Sequence, residues 1–325
     1  MKAHRVCSVS LCLVAVAILI PTFSLAQPYS ADKAAADKTV KLVRADNRDV
    51  KCYIGNELFT VYRVQPDQPK PYFYPVVGPS GKRMTYMFPP VRPKRGEYHP
   101  HHRSVWIAVD EVNGVDFWGE KGKIVNRQIR FLAPSGRAAR FLAVNDWMAQ
   151  DGTPVVRERT EFRIYPDRTI GVLLTFEAAY GAVVFEDTKE GLFGVRVHPQ
   201  LRERGGNGTI VNSRGERTER QCWGKTADWV DYFGKIDGVP VGIAMFDHPD
   251  NFRPSRWHVR AYGLFSVNPF GEHAYTRGRN PAKPVHLPKG RSLTLRYGVY
   301  FHSGDTAAGR VAERYRRFVE DMRKK

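Results

Sequence analysis

The stretch from Ile124 to Ala178 constrains the fold most. It carries four long runs, Ile124–Leu132, Arg140–Met148, Val155–Tyr165 and Thr169–Ala178, with turn signals at Gln150-Asp-Gly-Thr and Pro166-Asp-Arg. Arg157-Glu-Arg-Thr-Glu-Phe-Arg-Ile-Tyr and Thr169-Ile-Gly-Val-Leu-Leu-Thr-Phe are rich in β-branched and aromatic residues, which suit a pleated, half-buried surface. Runs joined by such short turns predict antiparallel pairing. Val50–Ile54 and Leu58–Tyr62 flank Gly55-Asn56 in the same way. Further strands are predicted at Val183–Phe185, Phe193–His198, Thr209–Asn212, Trp229–Ile236, Val239–Phe246, Gly263–Val267 and Ser292–His302.

So many short strands in one chain predict an all-β fold, a large antiparallel β-sandwich of two stacked sheets filling residues 39–325 as one domain. A propeller would need a repeated blade, and none is found. Pro71 to Pro93 is dense in prolines and aromatics and reads as a long loop with at most short edge strands. One helix is predicted, at about 306–323. Asp305 or Thr306 would cap it, and Val311, Tyr315, Phe318 and Met322 recur at helical steps. Its other face, Arg310, Arg314, Arg316, Arg317 and Arg323, reads as solvated.

The N-terminus begins Met-Lys-Ala-His-Arg, continues through an apolar core from Val6 to Ile20, and reaches Ser24-Leu25-Ala26. That is the pattern of a secretory signal peptide, residues 1–26, cut after Ala26. The core is too short for a membrane span, and no later run approaches one. Residues 27–38 are polar and alanine-rich, a flexible lead-in. The expectation is an exported protein, periplasmic or extracellular. Cleavage removes Lys2 and Arg5 and no acid, leaving 49 basic against 33 acidic residues and a net charge of +16. Such charge favours anionic partners, but the basic residues are scattered and no nucleic-acid-binding signature occurs, so nucleic acid is not expected as a partner. Cys52 and Cys222 survive cleavage; they would either pair in an oxidising compartment or stand as buried free thiols.

Four constellations carry chemistry. The first is Tyr98-His-Pro-His-His-Arg-Ser-Val-Trp, which puts His99, His101, His102 and Arg103 just ahead of an apolar run. Pro100 disfavours helix before it. On an extended approach to a strand, His99 and His101 would share one side and His102 the other. The second is Phe185-Glu-Asp-Thr-Lys-Glu-Gly-Leu-Phe-Gly-Val-Arg-Val-His, with Asp187, Lys189 and Glu190 in a turn and Arg196 on the strand that follows. The third, Trp223-Gly-Lys-Thr-Ala-Asp-Trp, offers an indole platform for a sugar ring, with Lys225 to bind hydroxyls. The fourth spans Asp247-His-Pro and Trp257-His-Val-Arg-Ala-Tyr-Gly, bringing His248, Trp257, His258 and Arg260. Each has a plainer reading as a surface turn or core aromatic.

At these residues the chain resembles a family of secreted bacterial proteins known as PmoA-like, or "methane oxygenase PmoA". The resemblance rests on Tyr74-Pro-Val-Val-Gly-Pro-Ser-Gly, His99-Pro-His-His-Arg-Ser-Val-Trp, Val112-Asn-Gly-Val-Asp-Phe-Trp-Gly-Glu, Asp187-Thr-Lys-Glu-Gly, Asp247-His-Pro and Trp257-His-Val-Arg-Ala-Tyr-Gly-Leu-Phe with Asn268-Pro-Phe-Gly. It covers roughly residues 40–305. The family usually has Asp before His-Pro-His-His; Tyr98 stands there instead. The resemblance implies a supersandwich in the style of the aldose mutarotases, whose broad cleft on one sheet holds sugar. Its oxygenase name fits the residues poorly. A membrane monooxygenase needs spans, and a histidine-brace copper site needs histidine where the mature chain would begin with Gln27.

The expected function is a carbohydrate-active enzyme, a glycoside hydrolase, lyase or epimerase, acting on a neutral or acidic saccharide without a cofactor. Glu190 would be the acid or base with Asp187 supporting, and His102, or failing it His101, the partner proton carrier. Arg103, Lys189, Arg196, Lys225, His248, His258 and Arg260 would hold substrate, and Trp223 or Trp257 would stack on it. Two alternatives stay open: a non-catalytic sugar-binding protein, or a metal-dependent oxygenase or hydrolase with His99, His101, His248 and His258 as ligands to a divalent ion.

Overall fold

The computed structural model describes Met1, residues 38–86 and residues 99–324. Residues 2–26 of the expected signal peptide, the lead-in up to residue 37 and Tyr98 lie outside the described residues. The chain forms a large antiparallel β-sandwich. One sheet has nine strands in the order Arg256–Val259, Leu264–Asn268, Phe193–Arg196, Val105–Ile107, Tyr72–Val76, Glu57–Arg63, Val50–Ile54, Val40–Arg44 and Ser135–Gly136. The other has eight: Thr209–Asn212, Trp229–Ile236, Val239–Asp247, Ser292–Ser303, Thr169–Glu177, Pro154–Ile164, Ala139–Met148 and Lys123–Ala133. A small third sheet joins Val285–Leu287, Val183–Phe185, Glu111–Val112 and Val115–Asp116.

Alternation sets which side chains meet between the large sheets. Phe141 is paired with Phe162, and both rings pack against Tyr62 and Phe73 with centroids 4.8–6.5 Å apart. The same face also buries one carboxyl. Glu158 accepts hydrogen bonds from Asn145 Nδ2 (3.0 Å), Trp147 Nε1 (2.9 Å) and Thr160 Oγ1 (2.6 Å), so the group is satisfied, while burial raises its pKa. Buried polar groups persist in cores when every lone pair that matters finds a donor.

Several expectations are corrected. Tyr72–Val76 is an interior strand, paired with Glu57–Arg63 on one side and Val105–Ile107 on the other, where the proline content predicted a loop. The register shifts between Thr60 and Tyr62, so Pro75, which lacks an N–H, sits at an irregularity rather than in a regular ladder. The C-terminal helix spans Val311–Arg323, starting after a turn in which Asp305 accepts from the Ala307 and Ala308 N–H groups. Short helices also occur at Thr218–Cys222 and Glu272–Tyr275. Of the arginine face, Arg314 is buried and donates to Thr169 Oγ1 while pairing with Asp167, so it is not solvated.

The helix covers the outer face of the eight-stranded sheet, where Phe318 and Met322 pack beside Phe246 and Ala244. Gly298 makes this approach possible: a Cβ there would meet the Phe318 ring at 2.9 Å. The helix approach is also pinned by Asp231, fully buried, which accepts from His302 Nε2 (3.0 Å) and Thr306 Oγ1 (2.6 Å). Cys52 and Cys222 are separate buried free thiols. Among the described residues, no helix is long and apolar enough to cross a membrane.

The aromatic cluster predicts a specific cost. Phe162→Ala should lower the unfolding free energy by about 3–5 kcal/mol, read from urea titrations. A loss below about 1 kcal/mol would mean the four rings do not carry the core.

Candidate functional site

The outer face of the nine-stranded sheet gathers most of the candidate residues, and strand register explains why. Tyr72 pairs with Trp106, Trp106 with Gly194, Gly194 with Ser266, and Ser266 with His258. Paired residues lie on one face, so these five form a row away from the core, and Arg196 and Arg260 share that face by alternation. Trp106 lies across Gly194: a Cβ at position 194 would meet the indole at 2.9 Å. Trp106 and Trp118 pack into a floor with centroids 5.0 Å apart and their planes tilted by 52°. Trp106 Nε1, Trp118 Nε1 and Ser266 Oγ are buried with no hydrogen-bond partner in the protein among the described residues.

The histidines do not sit on an extended approach. His102 N–H donates to His99 O at 3.0 Å, closing a turn that brings all three rings to one side. His102 is 3% exposed and stacks between His99 (4.8 Å) and Trp106 (5.4 Å); His99 stacks in turn on Tyr262 (5.1 Å). His101 packs edge-on against His102 at 4.3 Å and is half-buried. One ring nitrogen from each of the three lies within 4.8 Å of the others. Burial lowers all three pKa values, that of His101 to about 4. Arg196 adds to the effect on His99 and His102, and Lys70 to that on His101 and His102, while the Glu190 carboxylate opposes it at His99 and His101. The cluster is therefore three neutral imidazoles at neutral pH. Because His102 is walled in, the half-buried His101 is the better placed of the two to carry a proton.

Arg196 is 1% exposed and its Nη1 lies 3.4 Å from His102 Nδ1, with its guanidinium 4.8 Å from the Tyr262 ring centroid. Burial brings its pKa down to about 10. Glu190 stands opposite, ion-paired to Lys189 at 2.9 Å, with His258 Nδ1 3.5 Å away. His258 Nδ1 also lies 3.0 Å from Lys189 O, which can only accept, so the proton sits on Nδ1. Burial lowers the His258 pKa to about 4, leaving a neutral ring and no ion pair with Glu190.

Sequence reasoning missed two groups. Asp110 N–H donates to Glu190 O (2.9 Å) and Ala108 N–H to Leu192 O (2.9 Å), which continues the register of the 105–107 and 193–196 pairing and sets Asp110 opposite Glu190. Burial, then Asp116, Glu111 and Glu190, raise its pKa to about 7. An acid closing the apolar run Val105–Val109 was a usable signal. Lys70 was not signalled; it lies between two prolines. Its ammonium is fully buried, donates to Trp118 O (3.1 Å) and pairs with Glu120 (3.1 Å), and burial lowers its pKa to about 8.

Other candidates fall elsewhere or serve the scaffold. Arg103 clamps Glu120 through Nε (2.7 Å) and Nη2 (3.2 Å) and donates to Gln68 at 2.6 Å. Asp187 is occupied by the N–H groups of His273, Ala274 and Lys283, so it anchors a neighbouring turn instead of supporting Glu190. His248 packs under the C-terminal helix, its Nε2 3.1 Å from Val319 O, on the outer face of the other sheet. Trp257 is wholly buried, points into the core by alternation and donates to Ala227 O, so it is no platform. Trp223 is half-buried and packs edge-on to His258 at 6.2 Å, which keeps it at the site. Arg260 pairs with Glu219 at 3.1 Å near Tyr262, and Lys225 is exposed. As a metal ligand set, His99 and His101 are joined by His102; His248 and His258 do not belong to the group.

The molecule is thus an antiparallel β-sandwich with a polar constellation over one sheet's outer face. Residues 49–316 match the family model described as "Family of unknown function (DUF6807)", and the chain belongs to that family. No curated protein matches the sequence. Solved structures similar to it include a beta-arabinopyranosidase (13% identity, 82% of this chain and 40% of that one, TM-score 0.42). A GH36 alpha-galactosidase from Geobacillus stearothermophilus matches at 9% identity over 83% of this chain and 41% of that one, TM-score 0.44. A galactose 1-epimerase from Lactobacillus acidophilus matches at 8% over 82% and 98%, TM-score 0.38. The chain spans about two-fifths of the two glycosidases.

The floor depends on the missing side chain at position 194. Gly194→Val should push Trp106 off the sheet, change the near-UV circular dichroism and destabilise by about 1–3 kcal/mol. Adding Trp106→Phe should recover part of that loss; no recovery would place the strain somewhere other than the Trp106–Gly194 contact.

Proposed function

We propose that this face is the active site of an exported carbohydrate-active enzyme of the hydrolase, lyase or epimerase type. The observation that carries the reading is the pairing of Glu190 and Asp110 across adjacent strands, with different environments. Burial and neighbouring acids raise the proton affinity of Asp110, while Glu190 pairs with Lys189, so the two carboxyl groups can divide acid and base roles between them. Glu190, beside Lys189, takes a proton from a sugar carbon, hydroxyl or attacking water; Asp110, holding its proton near neutrality, gives one to the departing or ring oxygen. The half-buried imidazoles of His99 and His101, with the exposed Lys189, supply the hydroxyl- and carboxylate-binding groups that a neutral or acidic saccharide needs, and the buried Arg196, Trp106, Trp118 and Ser266 support them from below. Trp223, beside His258, is the remaining stacking surface.

Export belongs to the same proposal: the mature chain in the periplasm or medium should begin at Gln27, which intact-mass measurement of the secreted protein checks. For the chemistry, a panel of neutral and uronic-acid saccharides is incubated with the protein and scored for cleavage, unsaturated products and epimers. On any substrate turned over, Glu190→Gln should lower kcat by about 10²–10⁴-fold with folding unchanged. Full turnover in that variant would remove Glu190 from the mechanism. Activity should fall as pH rises through about 7, where Asp110 gives up its proton. Asp110→Asn should lose activity and that pH limb together.

A further inference from the structure

We infer that the His99–His101–His102 turn is a binding site for one late first-row divalent metal ion, of the zinc or cobalt kind. The three donors come from a single four-residue turn closed by the His102 N–H to His99 O bond, so the backbone presents them together. Their ligand atoms lie within 4.8 Å of one another. Tetrahedral coordination with metal–nitrogen bonds of about 2.0–2.1 Å puts donor atoms roughly 3.4 Å apart, a gap that side-chain rotation closes. Packing against Tyr262 and Trp106 holds the His99 and His102 rings nearly parallel, 14° apart, so uptake of an ion needs one of them to turn out of its stack. Among the described residues, the ring nitrogens of His99 and His101 make no hydrogen bond. Arg196 can only donate, so its contact at 3.4 Å makes His102 Nδ1 an acceptor with a free lone pair, and an ion bound there would take the place of that contact.

The donor set selects the ion. Three imidazoles suit zinc, cobalt, nickel or copper, whereas magnesium and calcium call for oxygen ligands. Around the three rings stand the cations Lys70 and Arg196 and the carboxylates Glu120 and Glu190, so the ion would enter a mixed field. Three protein ligands leave a coordination position open, the arrangement of catalytic rather than structural sites. On this face the open position would polarise a substrate oxygen on the Glu190 side. The inference stands on the donor set and does not need the saccharide reading.

The test is a titration of full-length mature protein, stripped with chelator, with Co²⁺ alone. Calorimetry and visible absorption should report one Co²⁺ per chain with d–d bands of low coordination number. His101→Ala and His101→Asn should each weaken binding more than about 100-fold, beyond the 10–100-fold typical of outer-shell partners. Glu190→Gln, which removes no ligand, should still take up one Co²⁺ per chain, and His286→Ala, exposed on a separate small sheet, should bind as the parent does. Because Glu190→Gln abolishes the proposed turnover but not metal uptake, the two readings fail separately. No stoichiometric uptake by the folded parent, or unchanged uptake in both His101 variants, overturns the metal site.

Discussion

The indole of Trp106 lying across Gly194 sets the level of everything above it. With no side chain at 194, a buried tryptophan occupies the outer surface of a sheet that would otherwise present alternating residues to solvent. His102 then stacks on Trp106, His99 on His102 and Tyr262 on His99, a tier of rings whose lowest member is fixed by one glycine. Flat rings stack without demanding directional partners, which leaves polar edges available at the rim. Lys70, its ammonium over the Trp106 ring at 5.9 Å, is held there by Glu120, and Glu120 by Arg103. A buried ammonium is tolerable only with such a partner, since removing either member leaves an uncompensated charge.

That arrangement divides the charged residues into two groups with different work. Arg103, Glu120 and Lys70 satisfy one another, as does Asp187 with three backbone N–H groups, so they build the walls. Asp110 and Arg196 are less fully matched. Arg196 is buried beside tyrosines and a neutral histidine, and Asp110 faces other acids. Groups held in environments that shift their proton affinity cluster where chemistry is done. The same division explains why charge alone was a poor guide. An arginine next to a histidine run proves to be a brace, and an arginine on a helix face, Arg314, proves to be buried.

The two sheets share a core yet use their outer faces differently. The eight-stranded sheet is covered by the C-terminal helix, with Gly298 admitting Phe318 and Asp231 tying His302 to Thr306. The nine-stranded sheet instead carries loops from four distant parts of the chain. Its strands are shorter there, three to five residues, so connections between them reach over the face and bring their polar residues with them. Loops on a rigid sheet are where binding groups usually lie.

β-Branched and aromatic runs with turn residues between them made most of the sandwich legible, because both are local properties: the hairpins from Lys123 to Glu177 follow directly from them. Local chemistry also marked Glu190, His101, Arg196 and His258 as candidates. It could not say that Trp257 faces inward while His258 faces the site, which needs the strand's phase relative to the core. Nor could it foresee the turn that gathers three histidines, the role of Pro75 at an irregular register, or Lys70 and Asp110 as neighbours of the same face. Sequence determined which residues could do chemistry and the type of layer they would sit on. Only tertiary structure decided which met, because pairing between strands separated by a hundred or more positions is fixed by how both sheets pack together, not by any stretch of either one.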